Sequence, residues 1–263
     1  MEINFEKNLA DLRNQSPLVH NITNFVVMNF TANALLAAGA SPVMAHAAEE
    51  VDDMVAIAGA LVVNIGTLSA PWVAGMKKAI KRASELHKPI ILDPVGAGAT
   101  PYRNEVLKEL LAIAAPTIIR GNASEIMALA GTNIQTKGVD STAASMDSLE
   151  AAKALSHKYG CIVSVSGATD LIVGGERVAY VENGVPLMTR ITGMGCSASA
   201  IAGAFAAVQS DAFEAAVCAA VMMGVCGEMA FQKTQLPGSF QIAFLDALSE
   251  VTPQNLQVSS IVK

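Results

Sequence analysis

Two glycines at the start of a long run of small residues limit most strongly what this chain can fold into. The stretch 189–208 reads TRITGMGCSASAIAGAFAAV, an extended, polar-alternating segment followed by Gly193-Met194-Gly195-Cys196 and then by good helix formers. Glycines at such a strand-to-helix junction lack Cβ atoms where the backbone turns tightly and faces a ligand. The first N–H groups of the following helix have no intrahelical partner and carry the positive end of its dipole. The motif therefore predicts an anion-binding turn, with an ordinary tight turn around a small buried cysteine as the alternative.

Strand-like and helix-like segments alternate along the rest of the chain. Strands are predicted at 43–46, 61–65, 89–93, 117–120 and 161–166, followed by a hairpin of 171–173 and 177–182. Helices are predicted at 3–13, 25–38, 70–87, 103–114, 145–158, 212–232 and 240–250, with others starting near 49 and 122. This alternation predicts a single α/β domain over residues 1–263, built on a largely parallel central sheet flanked by helices.

Composition excludes several classes of partner. Of the 263 residues, 52% are hydrophobic and 15% charged, and the net charge of −6 gives no basic surface for nucleic acid. The four cysteines show no metal-binding spacing and are expected to be reduced thiols in a cytoplasmic protein. The N-terminus lacks the layout of a signal peptide, and the longest uncharged run contains Gly, Ser and Thr throughout. We therefore expect no nucleic-acid partner and no membrane association.

Polar residues fall where several predicted strands end, which is where open α/β sheets bind ligands. They are His46, Asn64, Asp93, Arg120, Ser166 and Thr192. Asp93 precedes the glycine loop Pro94–Gly98, and Glu125 lies in the first turn of the helix after Arg120. Two converging carboxylates beside a phosphate-binding helix would hold Mg²⁺. The alternative is that Asp93 caps a turn and that Glu125 belongs to a capping box.

Two common nucleotide-binding motifs are excluded by the sequence. No GxxxxGK[ST] sequence is present, which excludes a P-loop protein. Gly193-x-Gly195-x-x-Ala198 matches the relaxed dinucleotide fingerprint, but the next predicted element is another helix, and no strand ending in an acidic residue follows. Thr23 or Asn24 is expected to cap the helix that Gly39 ends, and Met44, at a strand end, is typical of a core residue.

With these segments assembled, the sequence resembles the hydroxyethylthiazole kinases, the thiamine-salvage branch of the ribokinase-like superfamily. The resemblance covers nearly the whole chain and depends on six segments: SPLVHNITNFVVMNFTANALLAAGASPVM, NIGTL, LDPVGAGA, IIRGNASEIMALAG, GVDS and TGMGCSASA. It implies ATP-dependent phosphorylation of the hydroxyl of 4-methyl-5-(2-hydroxyethyl)thiazole. It also implies a homotrimer with active sites at the subunit interfaces.

The resemblance further implies a role for each matching residue. The thiazole would contact Met44 and Gly193, the nucleotide would contact Arg120 and Ser166, and Mg²⁺ with the phosphates would lie at Asp93 and Glu125. The segment 193–196 would form the anion hole. Cys196 would be a weak catalytic base, at a position where many ribokinase-like kinases carry Asp. Met194 departs from the Thr that is more frequent in the family at that position.

Three rival functions remain open at the level of sequence. A hydroxymethylpyrimidine kinase would share the fold but would lack the pairing of the HNITN and RGNASEIMALAG segments. An ATP-dependent dehydratase that repairs hydrated nicotinamide cofactors would share the fold and form no phosphorylated alcohol. A non-catalytic nucleotide-binding regulator would bind ATP without turnover.

Overall fold

Eight strands form one sheet in the computed structural model, which describes residues 3–131 and 141–259. The sheet order is β2-β1-β3-β4-β5-β6-β7-β8. The strands are β1 Leu18–Ile22, β2 Ser41–Val43, β3 Ala60–Asn64, β4 Ile90–Asp93, β5 Ile118–Asn122, β6 Ile162–Ser166, β7 Asp170–Gly174 and β8 Arg177–Val181. The pairs from β2 to β6 are parallel, and β7 and β8 add an antiparallel hairpin at one edge.

Helices cover both faces of this sheet. They are α1 Phe5–Gln15, α2 Met28–Ala38, α3 Val51–Ile57, α4 Ala70–Glu85, α5 Pro101–Ile113, α6 Ala123–Leu129, α7 Ser141–Tyr159, α8 Met194–Val208, α9 Ala212–Lys233, α10 Pro237–Glu250 and α11 Pro253–Ser259. Helices α1, α2 and α8–α11 share one apolar core, and α3–α7 contribute to the two cores on the opposite face. The predicted α/β class with a largely parallel sheet is confirmed.

Helix α8 lies at the centre of the molecule. It packs across β1, β3, β4 and β5 on one side and against α2 and α9 on the other. Its small residues allow this close approach: a Cβ added at Gly203 would lie 2.7 Å from Val62 Cγ2. The glycine motif at its start is therefore held against the carboxyl ends of the central strands.

Helix α9 is long and apolar enough to cross a membrane by length and composition, as no other helix is in the described part of the chain. However, 72% of its apolar window is buried inside the fold. It packs against α8 and α10. Burial of this kind is typical of the core helix of a layered α/β protein.

Several details differ from the sequence-based expectations. Strand β1 was not predicted, because His20 and Asn21 are polar; both are nevertheless buried. Strand β2 ends at Val43, so Met44 and His46 lie just beyond it rather than within it. A further short helix, α11, lies beyond the last helix predicted from the sequence. The predicted loop before α7 falls largely at 132–140, outside the described residues, together with most of the GVDS segment.

The start of α2 is a second difference. The helix begins at Met28, and its N-cap is Val27, which makes no side-chain capping bond. The predicted cap at Thr23 or Asn24 is therefore wrong, because the helix begins after both residues, and the Asn24 amide is used in hydrogen bonds to Asn64 and Cys196. The end is as predicted: Gly39 adopts a φ of 104°, a left-handed conformation that glycine takes without strain.

Candidate active site

Asp93 lies at the centre of a buried polar cluster between the sheet and α8. It is the last residue of β4 and only 3% exposed. Its Oδ2 accepts hydrogen bonds of 2.8 Å from Asn64 Nδ2 and of 2.8 Å from Ser199 Oγ. The carboxylate thus joins the ends of two neighbouring strands to the helix above them. With Oδ2 occupied by these two donors, Oδ1 accepts no hydrogen bond from the described residues.

Burial raises the pKa of Asp93 from 3.8 to about 6. The positive charge of Arg120 and the hydrogen bonds from Ser199 and Asn64 oppose this rise in pKa, whereas the negative charge of Glu125 adds to it. A carboxyl group whose pKa lies near 6 is largely ionised above neutral pH. The cluster therefore presents a buried negative charge close to a positive one.

The first turn of α8 presents backbone N–H groups toward this cluster. Gly193, the N-cap, has a φ of 91°, and its helix begins at Met194. The N–H groups of Gly195 and Cys196 donate no hydrogen bond to any described residue. Two free amides at the positive end of a helix are an anion-binding arrangement. The segment before them is a 3₁₀ turn, Pro186–Arg190, so the extended strand expected there is wrong.

Gly193 is required by its surroundings as well as by its backbone angle. A Cβ added there would lie 3.0 Å from Val27 Cγ1 and 3.2 Å from Phe30 Cδ1. The turn is thus pressed against the start of α2, in the N-terminal segment where the resemblance locates the substrate. Contact with that segment is consistent with the predicted role of Gly193 but does not test it.

Cys196 is the third residue of α8, three positions after the N-cap Gly193. Its Sγ accepts a hydrogen bond of 3.5 Å from Asn24 Nδ2. Burial, and next the charge of Asp93, raise the pKa of the thiol to about 11. These effects outweigh the hydrogen bonds from Asn64 and Asn24 and the charge of Arg120, which lower the pKa, so the thiol is protonated at neutral pH. Burial also raises the pKa of Cys161, Cys218 and Cys226, which belong to the core as expected.

Arg120 lies beside the same turn. It belongs to β5, and its Nη1 donates a hydrogen bond of 3.0 Å to the carbonyl oxygen of Gly195. Its positive charge lowers the pKa of Asp93, Cys196 and Asp170 against the opposing effect of burial on each. A fixed cation therefore stands next to the two free amides.

Glu125 has the structural role that was weighed as its alternative. Its Oε2 accepts 2.9 Å from the N–H of Asn122, and the Asn122 side chain accepts 3.0 Å from the N–H of Glu125, which completes a capping box. Its Oε1 accepts 2.9 Å from the N–H of Gly96 in the glycine loop. The carboxylate thus ties the start of α6 to the loop that follows Asp93.

The remaining predicted residues lie farther from Asp93. Ser166 ends β6, and its Oγ donates a hydrogen bond of 3.4 Å to the carbonyl of Gly121 in the neighbouring strand. Met44 follows the edge strand β2, which is separated from β4 by β1 and β3. His46 stacks on Trp72 with ring centroids 4.3 Å apart. The structure therefore brings Asp93, Arg120 and Cys196 together, with Glu125 across the glycine loop, and leaves Met44 and Ser166 at the flanks.

Three residues of the cluster were given no role in the site from sequence. Asn64 stood at a strand end without a function, Asn24 was interpreted as a helix cap, and Ser199 was not considered. Ser199 follows Cys196 by three residues, the spacing that brings two side chains to one face of a helix. That spacing is the signal by which sequence reasoning can find it.

The donor set limits the kind of metal site that is possible. No group of three or more His, Cys, Asp or Glu side chains within residues 3–131 and 141–259 could by itself enclose a metal ion. Asp93 has one free oxygen, and each Glu125 oxygen accepts only one hydrogen bond. Mg²⁺ is usually held by one or two carboxylates together with phosphates and water. These residues fit such a site and do not form an all-protein cage.

The fold of this chain is ribokinase-like. A ribokinase-like superfamily protein from Enterococcus faecalis V583 shares the fold with a TM-score of 0.66 at 13% identity, over 92% of this chain and 88% of that one.

Residues 9–254 match the hydroxyethylthiazole kinase family, and the chain belongs to that family. A hydroxyethylthiazole kinase of Leptospira biflexa is 56% identical over 251 residues, which are 95% of this chain and 94% of the relative. The structure of the hydroxyethylthiazole kinase protein from Pyrococcus horikoshii OT3 superposes with a TM-score of 0.91 at 41% identity and covers 98% of both chains.

Proposed function

We propose that this chain transfers the γ-phosphoryl group of ATP to the side-chain hydroxyl of 4-methyl-5-(2-hydroxyethyl)thiazole, a step of thiamine biosynthesis or salvage. Family membership supports the choice of substrate, since the relatives are hydroxyethylthiazole kinases. The structural observation that carries the proposal is the pair of free N–H groups at Gly195 and Cys196, with Arg120 bonded to the same turn.

This arrangement suits phosphoryl transfer. The transition state is loose and spreads negative charge over the equatorial phosphoryl oxygens, so catalysis depends mainly on positioning and charge stabilisation. Amides fixed at a helix N-terminus and a guanidinium supply that stabilisation without reorganising during the reaction. In this mechanism the segment 193–196 is the anion hole, and Arg120 and Ser166 contact the nucleotide.

Mg²⁺ is part of the proposal. When bound, it would neutralise charge on the β- and γ-phosphates. Asp93 would hold it through Oδ1, and Glu125 would do so through water, because backbone N–H groups already occupy one acceptor site on each of its oxygens. The hydrogen bonds from Asn64 and Ser199 fix Asp93 Oδ2 and leave Oδ1 directed away from those donors.

The attacking hydroxyl must lose its proton. We assign the acceptance of this proton to the thiolate form of Cys196; its contribution is small, because a thiol with a pKa of about 11 is seldom ionised at neutral pH. Proton transfer late in the reaction, when the oxygen is already bonded to phosphorus, places little demand on the base.

The thiazole is assigned to the N-terminal side of the site, at Met44 and Gly193. Its ring is neutral and apolar, and Gly193 packs on Val27 and Phe30 of that segment. Next to it, Phe25 and Val26 are 62% and 73% exposed. Neighbouring exposed apolar side chains are typical of a subunit contact. We therefore include a homotrimer with interfacial active sites in the proposal. A cytoplasmic location, expected from the reduced thiols, is also part of it.

The test is ATP consumption by the purified chain with and without hydroxyethylthiazole, with the product identified by mass. The proposal expects ADP to form only with the alcohol and the product to gain one phosphoryl group. Phosphorylation of hydroxymethylpyrimidine instead would indicate the related kinase. ADP formed only with a hydrated nicotinamide cofactor would indicate the dehydratase, and binding of ATP without turnover of any of these would indicate a regulator.

A further inference from the structure

Arg103 joins two loops on the carboxyl side of the sheet. It lies in the first turn of α5, and its Nη1 donates hydrogen bonds of 2.6 Å to the carbonyl of Ile65 and 2.7 Å to that of Val95. Its Nη2 donates a third, of 2.9 Å, to the carbonyl of Gly66. Both hydrogens of Nη1 are thereby used, each on a different loop.

These loops follow the two strands that carry the central polar pair. Ile65 comes directly after Asn64 at the end of β3, and Val95 is two residues beyond Asp93 at the end of β4. The hydrogen bond from Asn64 to Asp93 joins the ends of β3 and β4. The Arg103 guanidinium joins the two loops that follow these strands, one or two residues farther along the chain. Because a planar fork with fixed angles makes all three contacts, Arg103 sets the separation of the two strand exits.

The first turn of α5 also binds the C-terminal end of the glycine loop, at Gly98. Asn104 Oδ1 accepts a hydrogen bond of 2.8 Å from the N–H of Gly98. Between these two anchors, the N–H of Gly96 donates to Glu125 Oε1. Gly96 has a φ of 72°, and a Cβ added there would lie 3.3 Å from Arg103 Cδ and Nε. The loop is thus packed on the arginine that holds it.

The charge of Arg103 is not neutralised locally. Its described contacts are carbonyl oxygens, and no ion pair joins it to a carboxylate in the parts of the chain at 3–131 and 141–259. The side chain is half-buried. A cation fixed beneath the loop between Asp93 and Glu125 adds positive potential at the place where the proposed phosphates lie.

We propose that Arg103 is a positioning residue for phosphoryl transfer, which with Asn104 holds the glycine loop so that Asp93 and Glu125 face the phosphates of the nucleotide. This inference depends on the proposed function for its phosphate site. It assigns Arg103 no contact with substrate or nucleotide.

The experiment compares Arg103→Gln and Arg103→Lys with a matched control, Lys108→Gln, which removes one positive charge from an exposed position on the same helix. Turnover, the KM for ATP, the KM for the thiazole and the affinity for ADP by calorimetry are measured, with melting temperatures. Arg103→Gln is expected to lower turnover on the order of 100-fold and to weaken ADP binding, because small misplacements at the reacting centre have effects of that size. The KM for the thiazole should stay within about twofold of the control.

Arg103→Lys separates geometry from charge. Lysine keeps the positive charge but has a single ammonium group in place of the planar guanidinium, so it cannot make the three hydrogen bonds with the same geometry. It should therefore recover only part of the lost turnover. Full recovery by lysine would overturn the proposal, as would a folded Arg103→Gln protein with turnover and ADP affinity equal to the control. If Arg103→Gln does not fold, Asn104→Ala decides: weaker ADP binding supports the proposal and unchanged binding refutes it. The ADP measurement needs no alcohol, so this result is distinguishable from failure of the proposed function.

Discussion

The Asn64 amide donates a hydrogen bond of 2.8 Å to Asp93 Oδ2 and accepts one of 3.0 Å from Asn24 through its own oxygen. The amide of Asn24 reaches Cys196 Sγ in turn. A continuous polar chain therefore runs from the end of β4, through the N-terminal segment, to the first turn of α8. Replacing one of these four side chains therefore removes a hydrogen-bond partner from its neighbour in the chain.

Replacement of Cys196 tests how much the base contributes. Cys196→Asp should keep or raise activity, because a carboxylate is more readily ionised than a thiol whose pKa is about 11. Cys196→Ala should leave slow turnover, since the amides and Arg120 stay in place. Steady-state turnover is measured beside thermal melting. An alanine variant that folds normally and matches the parent rate would show that the thiol only fills space.

Asp93 predicts the pH dependence of activity. Its pKa of about 6 means that the carboxylate becomes protonated as pH falls through that value, so turnover should fall below pH 6. Asp93→Asn should lower turnover far more than thiazole binding, because charge at this position matters most in the transition state. Near-normal turnover of the folded Asn variant would show that the assignment to the metal region is wrong.

The same group has the opposite effect on stability. Because burial raises the pKa above 3.8, the folded state holds this proton more tightly than the unfolded chain does. Its stabilising contribution is complete below pH 3.8 and is lost as pH rises toward 6. Relative to Asp93→Asn, the parent should lose about 1 kcal/mol between pH 5 and pH 7 in urea unfolding. A difference that does not change with pH would contradict the shift.

Glu125 combines a capping role with its proposed metal role, and a pair of variants separates them. Glu125→Gln keeps one amide oxygen that can still complete the capping box, whereas Asn122→Ala breaks the box and should cost about 0.5–2 kcal/mol of stability. Only the first removes the carboxylate, so only the first should lower turnover at least about tenfold. Equal turnover in the two variants would leave Glu125 with a purely structural role.

The two glycines of the motif should respond differently to alanine. Gly193→Ala forces a side chain into a φ of 91° and against Val27 and Phe30, so it should destabilise the fold by at least about 1 kcal/mol. Gly195→Ala meets only Arg120 Nη1 at 3.6 Å, an ordinary contact inside a helix, and should not lower the melting temperature. Equal melting temperatures for both variants would contradict the tight packing at Gly193.

The proposed trimer is tested by light scattering. The expected mass is about three times the 27.2 kDa of the chain. Val26→Asp, at a residue 73% exposed in the single chain, should shift the mass toward the monomer and reduce activity. A stable and fully active monomer of the unmodified chain would contradict the proposal that the active site lies at a subunit interface.

The sequence was a good guide where a local rule decides the structure. The alternation of elements predicted the parallel sheet, and Gly39 was expected to end α2, as it does. Asp93 was expected at the carboxyl end of its strand and is the last residue of β4, whereas Arg120, expected at the end of its strand, lies two residues before the end of β5. These predictions succeed because strand order and strand direction alone bring such residues to one edge of the sheet.

The misses have a common physical cause, which is the tertiary environment that residues distant in sequence create around a side chain. Asn24 is a residue type that often caps helices, but its amide donates hydrogen bonds to partners 40 and 172 residues away in sequence. From the sequence, the pKa of the Cys196 thiol could be raised or lowered. In the structure, burial and the charge of Asp93 raise it. Strand β1 was missed because its His20 and Asn21 are buried, which local polarity does not predict.

The central position of α8 also orders the events of biosynthesis. The strands that it covers, β1, β3, β4 and β5, all leave the ribosome before residue 194 has been made. Their apolar face is therefore without its natural cover for most of translation, a period in which nascent chains are prone to aggregate. The helix that begins with the glycine motif is thus also the one whose synthesis ends this exposure, so the proposed anion hole and the cover of the sheet are completed by the same late segment.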